Sequence, residues 1–321
     1  MSTFLPPLAP GSVSLRLYPH TSLDARAIVG EMRTQARLAR EVGFDGVMTS
    51  EHHGGFAGYL PNPLQMAGFL LEAMDGGWAG ACPLLLTVRP TALVVEETAW
   101  LAARFPGRVM LGVAAGSLQD DFDILETPKE GYVERFKSAL PQVAGALSGR
   151  DPWLLGGDPA VAACAHSPIP MTSAAMSYTA VRRAADAGMG LLFDSLSTIE
   201  RCRELTDTYR GSGGTGTCIL VRRVWIGPPP ASRQAQQVDV YRSYAEAGAQ
   251  THWADDAMLS HSDPAELAEI VANTAAAAGC EAVNIRLHVP GILPEEVRDQ
   301  LAALGDVVPA VRERLLAGLA V

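Results

Sequence analysis

Short apolar runs alternate with amphipathic helical patterns along this chain of 321 residues, and that alternation restricts its fold more than any other feature. Parallel strands cannot be joined by a tight turn and need a crossover, usually helical, so the pattern predicts consecutive βαβ units. The apolar runs fall at residues 13–18, 44–49, 83–88, 109–113, 169–174, 190–193, 218–226 and 282–288, which makes eight predicted strands. Between the first two, Ile28, Met32, Ala36 and Ala39 form a helical stripe opposite Arg33, Arg37 and Arg40, and Gly43 is the expected terminator. Further helices are predicted around Val95, Ala99 and Ala102, over 178–187 and 199–209, after the start signal Ser262-Asp263-Pro264, and around Val307, Val311 and Leu315.

Eight repeats point to an α/β fold, a single (β/α)8 TIM-type barrel occupying residues 1–321 as one domain, with its active site at the C-terminal strand ends. A doubly wound open sheet would carry a glycine-rich phosphate fingerprint after its first strand, whereas this chain has Tyr18-Pro19-His20-Thr21-Ser22. Neither Gly211-Ser212-Gly213-Gly214 nor Gly227-Pro228-Pro229-Pro230 is long enough to divide domains.

Composition removes several function classes. A formal charge of -10 disfavours nucleic acid and anionic membrane as partners. The arginines at 33, 37 and 40 and the pairs Arg182-Arg183 and Arg222-Arg223 read as solvated faces or local phosphate contacts. Five scattered cysteines form no C-x-x-C pair, the first twenty residues lack the apolar core of a signal peptide, and no membrane span is evident. A cytoplasmic protein with reduced thiols is expected.

Glu51-His52-His53 follows the second predicted strand, where a barrel places its chemistry. Adjacent strand residues point to opposite faces, which disfavours a metal ion shared by His52 and His53. A structural hydrogen-bonding role and an acid/base or cofactor role remain open, the latter because imidazole changes charge near neutral pH.

The run Gly43-Phe44-Asp45-Gly46-Val47-Met48-Thr49-Ser50-Glu51-His52-His53 with Pro61-Asn62-Pro63 resembles the second strand and loop of the bacterial-luciferase-like flavin-dependent oxidoreductases. Phe105-Pro106-Gly107-Arg108 through Gly116, then Asp121-Phe122, then Met176-Ser177-Tyr178, fit the same family in order and spacing. The resemblance implies that His52 handles protons in flavin–oxygen chemistry and that Glu51 lies near the isoalloxazine ring. It also implies that Ala114, Ala115, Gly116, Met176, Ser177, Tyr178 and Thr179 border the cofactor, with its phosphate at the helix start after strand five, where free N–H groups suit an anion. Ser177 equally reads as an ordinary N-cap.

Luciferase carries a reactive cysteine and a phosphate-binding arginine where this chain has Ala114 and Ala115, so another cation is required; Arg135 is the candidate, beside its alternative reading as an exposed helix arginine. A cis peptide is sought near Cys82, and Phe56, Tyr59, Trp78 and His288 are candidates for the substrate side. By resemblance, the expected activity is a monooxygenase using O2 and reduced FMN supplied by a separate flavin reductase, acting as a homodimer on a small organic substrate. The alternatives are F420-dependent hydride transfer and a non-catalytic flavin-binding relative.

Overall fold

A computed structural model describes residues 4–56, 58–244, 250–254 and 258–319. Eight parallel strands close into a barrel: β1 (Val13–Arg16), β2 (Gly46–Thr49), β3 (Trp78–Leu85), β4 (Val109–Ala114), β5 (Met171–Ala174), β6 (Gly190–Phe193), β7 (Cys218–Ile226) and β9 (Ala282–Arg286). The ladder runs β6-β5-β4-β3-β2-β1-β9-β7, and Leu191 to Phe193 pair with Cys218 to Leu220 to close it. A ninth short strand, β8 (Leu259–His261), pairs with the end of β7 outside the ring.

The helices among the described residues are α1 (Ala25–Glu41), α2 (Pro63–Ala73), α3 (Thr91–Arg104), α4 (Gln119–Ile124), α5 (Tyr132–Leu147), α6 (Pro159–Ala163), α7 (Tyr178–Ala187), α8 (Ile199–Gly211), α9 (Ala231–Tyr244), α10 (Pro264–Ala277), α11 (Pro294–Ala303) and α12 (Val307–Gly318). Their starts follow the capping rule. The Asp24 carboxylate accepts from the Ala27 N–H at the start of α1, and Asp263 accepts from Ala265 and Glu266 at α10, where Pro264 is the first residue. Gly43 follows α1 at a φ of +103°, a conformation that favours glycine. None of these helices is long and apolar enough to cross a membrane.

Side-chain alternation divides the core in two. Val13, Leu15, Val47, Leu111, Leu191, Leu220, Val283 and Ile285 pack outward against the helices. Their neighbours Met48, Trp78, Met110, Ile219 and Ala282 fill the barrel's lower interior, with Leu8 beneath. The amino-terminal segment is tied there by the buried Asp45 carboxylate, which accepts from the Leu5 and Val13 N–H groups and pairs with Arg312 at 3.0 Å.

Several predicted strand ends leave the ladder. Residues 17–18 and 287–288 extend past β1 and β9 and turn over the barrel mouth. Strand three differs more: the ladder begins at Trp78, and residues 86–88 form a 3-10 turn. Its real start, Trp78-Ala79-Gly80-Ala81, lacks the β-branched residues that signal a strand. The small residues are there for packing, since a Cβ on Gly80 would lie 2.1 Å from the Met110 carbonyl oxygen. Trp78, considered above for the substrate side, is 1% exposed at the opposite end of the barrel, paired with Gly46. The Arg222-Arg223 pair also departs from the solvated reading, because both side chains are buried on β7. Helices α2, α4, α6, α9 and α11 and strand β8 were not anticipated.

Overpacking a closed ladder is costly, so Gly80→Ala should destabilise the protein by about 3 kcal/mol, read as a lowered urea midpoint.

Candidate functional site

The exit of β2 divides its three ionisable residues among different tasks. Glu51, 1% exposed, lies against Arg89, whose Nη2 approaches Oε1 to 2.5 Å. The same carboxylate accepts from His53 Nε2 at 2.9 Å and from the Leu85 N–H at 2.6 Å. Arg89 also donates to the Pro61 carbonyl at 3.0 Å. One buried ion pair therefore ties together the exits of β2 and β3 and the loop leading into α2.

His52 turns the other way. Its Nδ1 lies 2.8 Å from Asp121 Oδ2, and Asp121 Oδ1 accepts the His53 N–H at 2.8 Å. An ionised carboxylate only accepts, so Nδ1 carries the hydrogen and Nε2 is the nitrogen left for chemistry. The Asp121 side chain is fully buried and that of His52 is 19% exposed. Aromatic contacts hold the imidazole, with Tyr59 at 4.5 Å and Phe56 at 4.9 Å between ring centroids. His52 and His53 diverge as strand alternation predicts, and the described residues contain no cluster of metal-binding side chains.

Tyr59 continues this surface across the mouth. It packs edge-on to Tyr18 at 5.4 Å, and its hydroxyl lies 3.1 Å from that of Tyr241 on α9. His288 lies 5.4 Å from the Tyr18 ring, at the exit of β9. Burial, reinforced by the charges of Arg286, His20 and Arg223, pushes the His288 imidazole down to about 3. Phe56, Tyr59 and His288 thus gather at the mouth.

The exits of β4, β5 and β6 form the other side. Ala114 and Ala115 lead to Gly116, whose φ is +76°, and the Ala115 carbonyl accepts from Thr87. Ser177 caps α7 by accepting the Ala180 N–H, and Ser177, Tyr178 and Thr179 are all exposed. Arg135 does not reach this turn: its guanidinium donates to the carbonyls of Pro128, Glu130 and Thr87 and braces the loop before α5. Arg201, early in α8, does reach it. Its guanidinium stacks over the Tyr178 ring at 4.4 Å and donates to the Met176 carbonyl at 3.5 Å and to Glu204 at 3.1 Å. Arg201 is 9% exposed, and its Nε has no hydrogen-bond partner among the described residues. Cys82-Pro83 is a cis peptide, where β3 shifts register against β4.

Residues 14–308 match the family model for luciferase-like monooxygenases. The chain belongs to that family. Among curated relatives, a stretch of 111 residues is 33% identical to an F420-dependent glucose-6-phosphate dehydrogenase of Microbacterium testaceum, covering 32% of each chain. A stretch of 91 residues is 32% identical to the alkanal monooxygenase alpha chain of Photorhabdus luminescens, covering 28% of this chain and 25% of that one. These matches thus span about a third and a quarter of the relatives' lengths.

Solved structures share the fold over nearly the full length. The oxygenating constituent of 3,6-diketocamphane monooxygenase from Pseudomonas putida, in complex with FMN, superposes with a TM-score of 0.76 at 14% identity, over 95% of this chain and 98% of that one. An F420-dependent secondary alcohol dehydrogenase in complex with an F420-acetone adduct gives 0.70 at 14% identity, over 94% and 99%. Flavin monooxygenases and F420-dependent oxidoreductases are thus both among the structures that share the fold of this luciferase-like protein.

Sequence reading did not assign a role to Asp121, Arg89 or Arg201, because each acts through a partner distant in the chain. Two predictions follow from these contacts. Arg89→Met strands the Glu51 carboxylate and should cost about 3–5 kcal/mol in urea unfolding. His288 is held at about 3 against an ordinary 6.5, so the unfolded chain binds a proton between those values that the folded one refuses. Stability is fully present above pH 6.5 and falls by about 1.4 kcal/mol per unit as pH drops through that window. His288→Phe should flatten this dependence in urea midpoints measured from pH 7 to 5.

Proposed function

We propose that this chain is a flavin-dependent monooxygenase that takes reduced FMN from a separate flavin reductase and uses O2 to oxygenate a small organic substrate at the barrel mouth. The observation that carries the proposal is the His52–Asp121 pair, a buried carboxylate aligning an imidazole inside an aromatic surround. Asp121 fixes the tautomer of His52 and stabilises its protonated form, so that Nε2 can take or return a proton at the reacting centre. Phe56 and Tyr59 exclude water from that nitrogen. Glu51 acts indirectly, by holding the strand end from which His52 projects.

The turn into α7 fits a flavin phosphate. Ser177 Oγ takes only the Ala180 N–H, which leaves the exposed start of a ten-residue helix, and the Thr179 hydroxyl adds a donor. For the cation we assign Arg201 in place of Arg135, since Arg201 lies on the turn with a buried, unpaired Nε. Met176 and Tyr178 border this turn, while Ala114, Ala115 and Gly116 leave the neighbouring β4 exit without long side chains. Bound FMN would supply the redox chemistry that activates O2. Phe69 on α2 and Leu93 and Trp100 on α3 are exposed apolar side chains, and we assign them to a homodimer contact. Five free, buried cysteines support a cytoplasmic setting.

The F420-dependent alternative is favoured by the dehydrogenase relative. Titrating the purified protein with reduced FMN and reduced F420, followed by O2 uptake, separates the two: FMN-dependent uptake is expected, and preference for F420 without uptake overturns the monooxygenase reading. His52→Ala should lower turnover by about 10²–10⁴-fold while FMN affinity is retained, and unchanged turnover removes His52 from the mechanism.

A further inference from the structure

A tyrosine, an arginine and a glutamate close a small ring of contacts at the start of α7. Tyr178 is the first residue of that helix and is 43% exposed, and its phenol reaches across to α8, where Oη donates to Glu204 Oε2 at 2.9 Å. Arg201 Nη1 donates to the same oxygen at 3.1 Å, and the Arg201 guanidinium lies 4.4 Å from the centre of the Tyr178 ring. An ionised carboxylate only accepts, so both hydrogens point at Glu204. One carboxylate oxygen thus serves two donors carried by two helices.

An arginine and a glutamate three residues apart on a helix are ordinary neighbours, and an exposed pair of that kind adds little to stability. This pair differs in its surroundings. The Arg201 side chain is 9% exposed and that of Glu204 is 55% exposed, so a buried cation is matched by a carboxylate reaching in from solvent. The other acceptor of Arg201, the Met176 carbonyl, stands at 3.5 Å, the longer of the two contacts. Glu204 therefore supplies the negative charge that the guanidinium needs. Hydrogen bonds from Tyr178 and then Arg201 hold its carboxyl below the ordinary value, which keeps it ionised at neutral pH.

The same turn is where an anion is best received. Tyr178 and Thr179 lie in the first turn of α7, whose N–H groups have no carbonyl of their own helix to reach, and Ser177 takes only that of Ala180. A phosphate seated on those N–H groups meets the Arg201 guanidinium, and there it meets Glu204 as well. Phosphate and carboxylate then compete for one cation. Because a phosphate monoester carries about -1.5 to -2 charge at neutral pH, the carboxylate either gives up the guanidinium or stands against it as a like charge. Either outcome weakens binding relative to an arginine with no carboxylate beside it.

We infer that Glu204 sets how tightly this chain holds the phosphate of its flavin: it occupies Arg201 as a stand-in before the phosphate enters, gives the guanidinium up to it, and reclaims it when the flavin leaves. This rests on the assignment of the turn into α7 to a flavin phosphate, and adds the residue that opposes it. Removing a partner from a buried charge is costly, and Glu204 spares Arg201 that cost whenever the flavin is away. The arrangement suits a flavin that arrives reduced from another protein and has to depart, since it trades affinity for exchange.

Reduced FMN and reduced riboflavin differ by the phosphate alone. Each is titrated anaerobically into the full chain by isothermal titration calorimetry, and the ratio of the two affinities is the readout. Both ligands are measured on the same preparation of each variant, so the ratio is independent of any change in stability. Glu204→Gln keeps the length and an acceptor but removes the charge, and it should raise the FMN-to-riboflavin ratio about three- to tenfold. An unchanged ratio overturns the inference, and so does a fall, which would make Glu204 a brace for Arg201. Arg201→Gln reads the phosphate assignment separately, with a fall in the ratio of about tenfold or more expected. A ratio indifferent to Arg201→Gln removes the phosphate from this turn and the inference with it. A ratio that falls in Arg201→Gln yet does not rise in Glu204→Gln removes the inference alone. In the double variant most of the rise should disappear, because no guanidinium is left to contest; a rise of full size there shows repulsion without exchange and overturns the stand-in role.

Discussion

Glu51 and Arg89 hold the working end of this barrel in one arrangement. Strand exits are where the backbone leaves the protection of the ladder, and their geometry must be set by something other than strand pairing. Here a buried carboxylate receives a guanidinium, an imidazole and a backbone N–H from two neighbouring exits, while the guanidinium reaches the loop beyond. In a poorly screened interior such a pair is held to one geometry, because losing either partner leaves a bare charge. His52 inherits its position from this pair: with the residues on either side fixed, its side chain projects across the mouth toward Asp121.

Two different charge regimes then meet over the barrel. On the β2 and β3 side, the buried charges are neutralised and serve positioning. On the β1 and β9 side, Asn284, the Cys82 carbonyl and the Tyr241 hydroxyl accept from the buried guanidinium groups of Arg16 and Arg286. The lower barrel, filled by Met48, Trp78, Met110 and Ile219, lies beneath both.

In the proposed flavin reading, Arg201 takes the place of the cation that alanines at 114 and 115 do not supply. With alanines at 114 and 115, the fourth strand offers no charge to a phosphate. The turn after β5 instead lies beside Arg201, carried by the helix after β6. A barrel permits such relocation, since successive exits converge on one rim and a charge can be moved one strand along without displacing the point it serves.

Much of this was legible in the residues taken in order. Short apolar runs and period-3.6 stripes located most of the barrel strands, and the caps at Asp263 and Ser177 marked the starts of α10 and α7, because these are local signals written within a few residues. The Glu-His-His run was placed correctly at a strand exit, and alternation separated its two histidines. Strand three was misplaced because its small residues answer to Met110 on the neighbouring strand, not to any local preference. Arg16 and Arg286 each appeared as one arginine inside an apolar strand, and Arg135 was as plausible a cation as Arg201. Only closure of the ring could put residues 16, 223 and 286 in register, bring Asp121 to His52 and set Arg201 against Tyr178. Sequence patterning thus determined which elements form and which faces are buried, since those depend on neighbours along the chain. The partners of each buried charge were decided by the tertiary structure, because in a closed barrel they are set by register between strands that the chain itself keeps far apart.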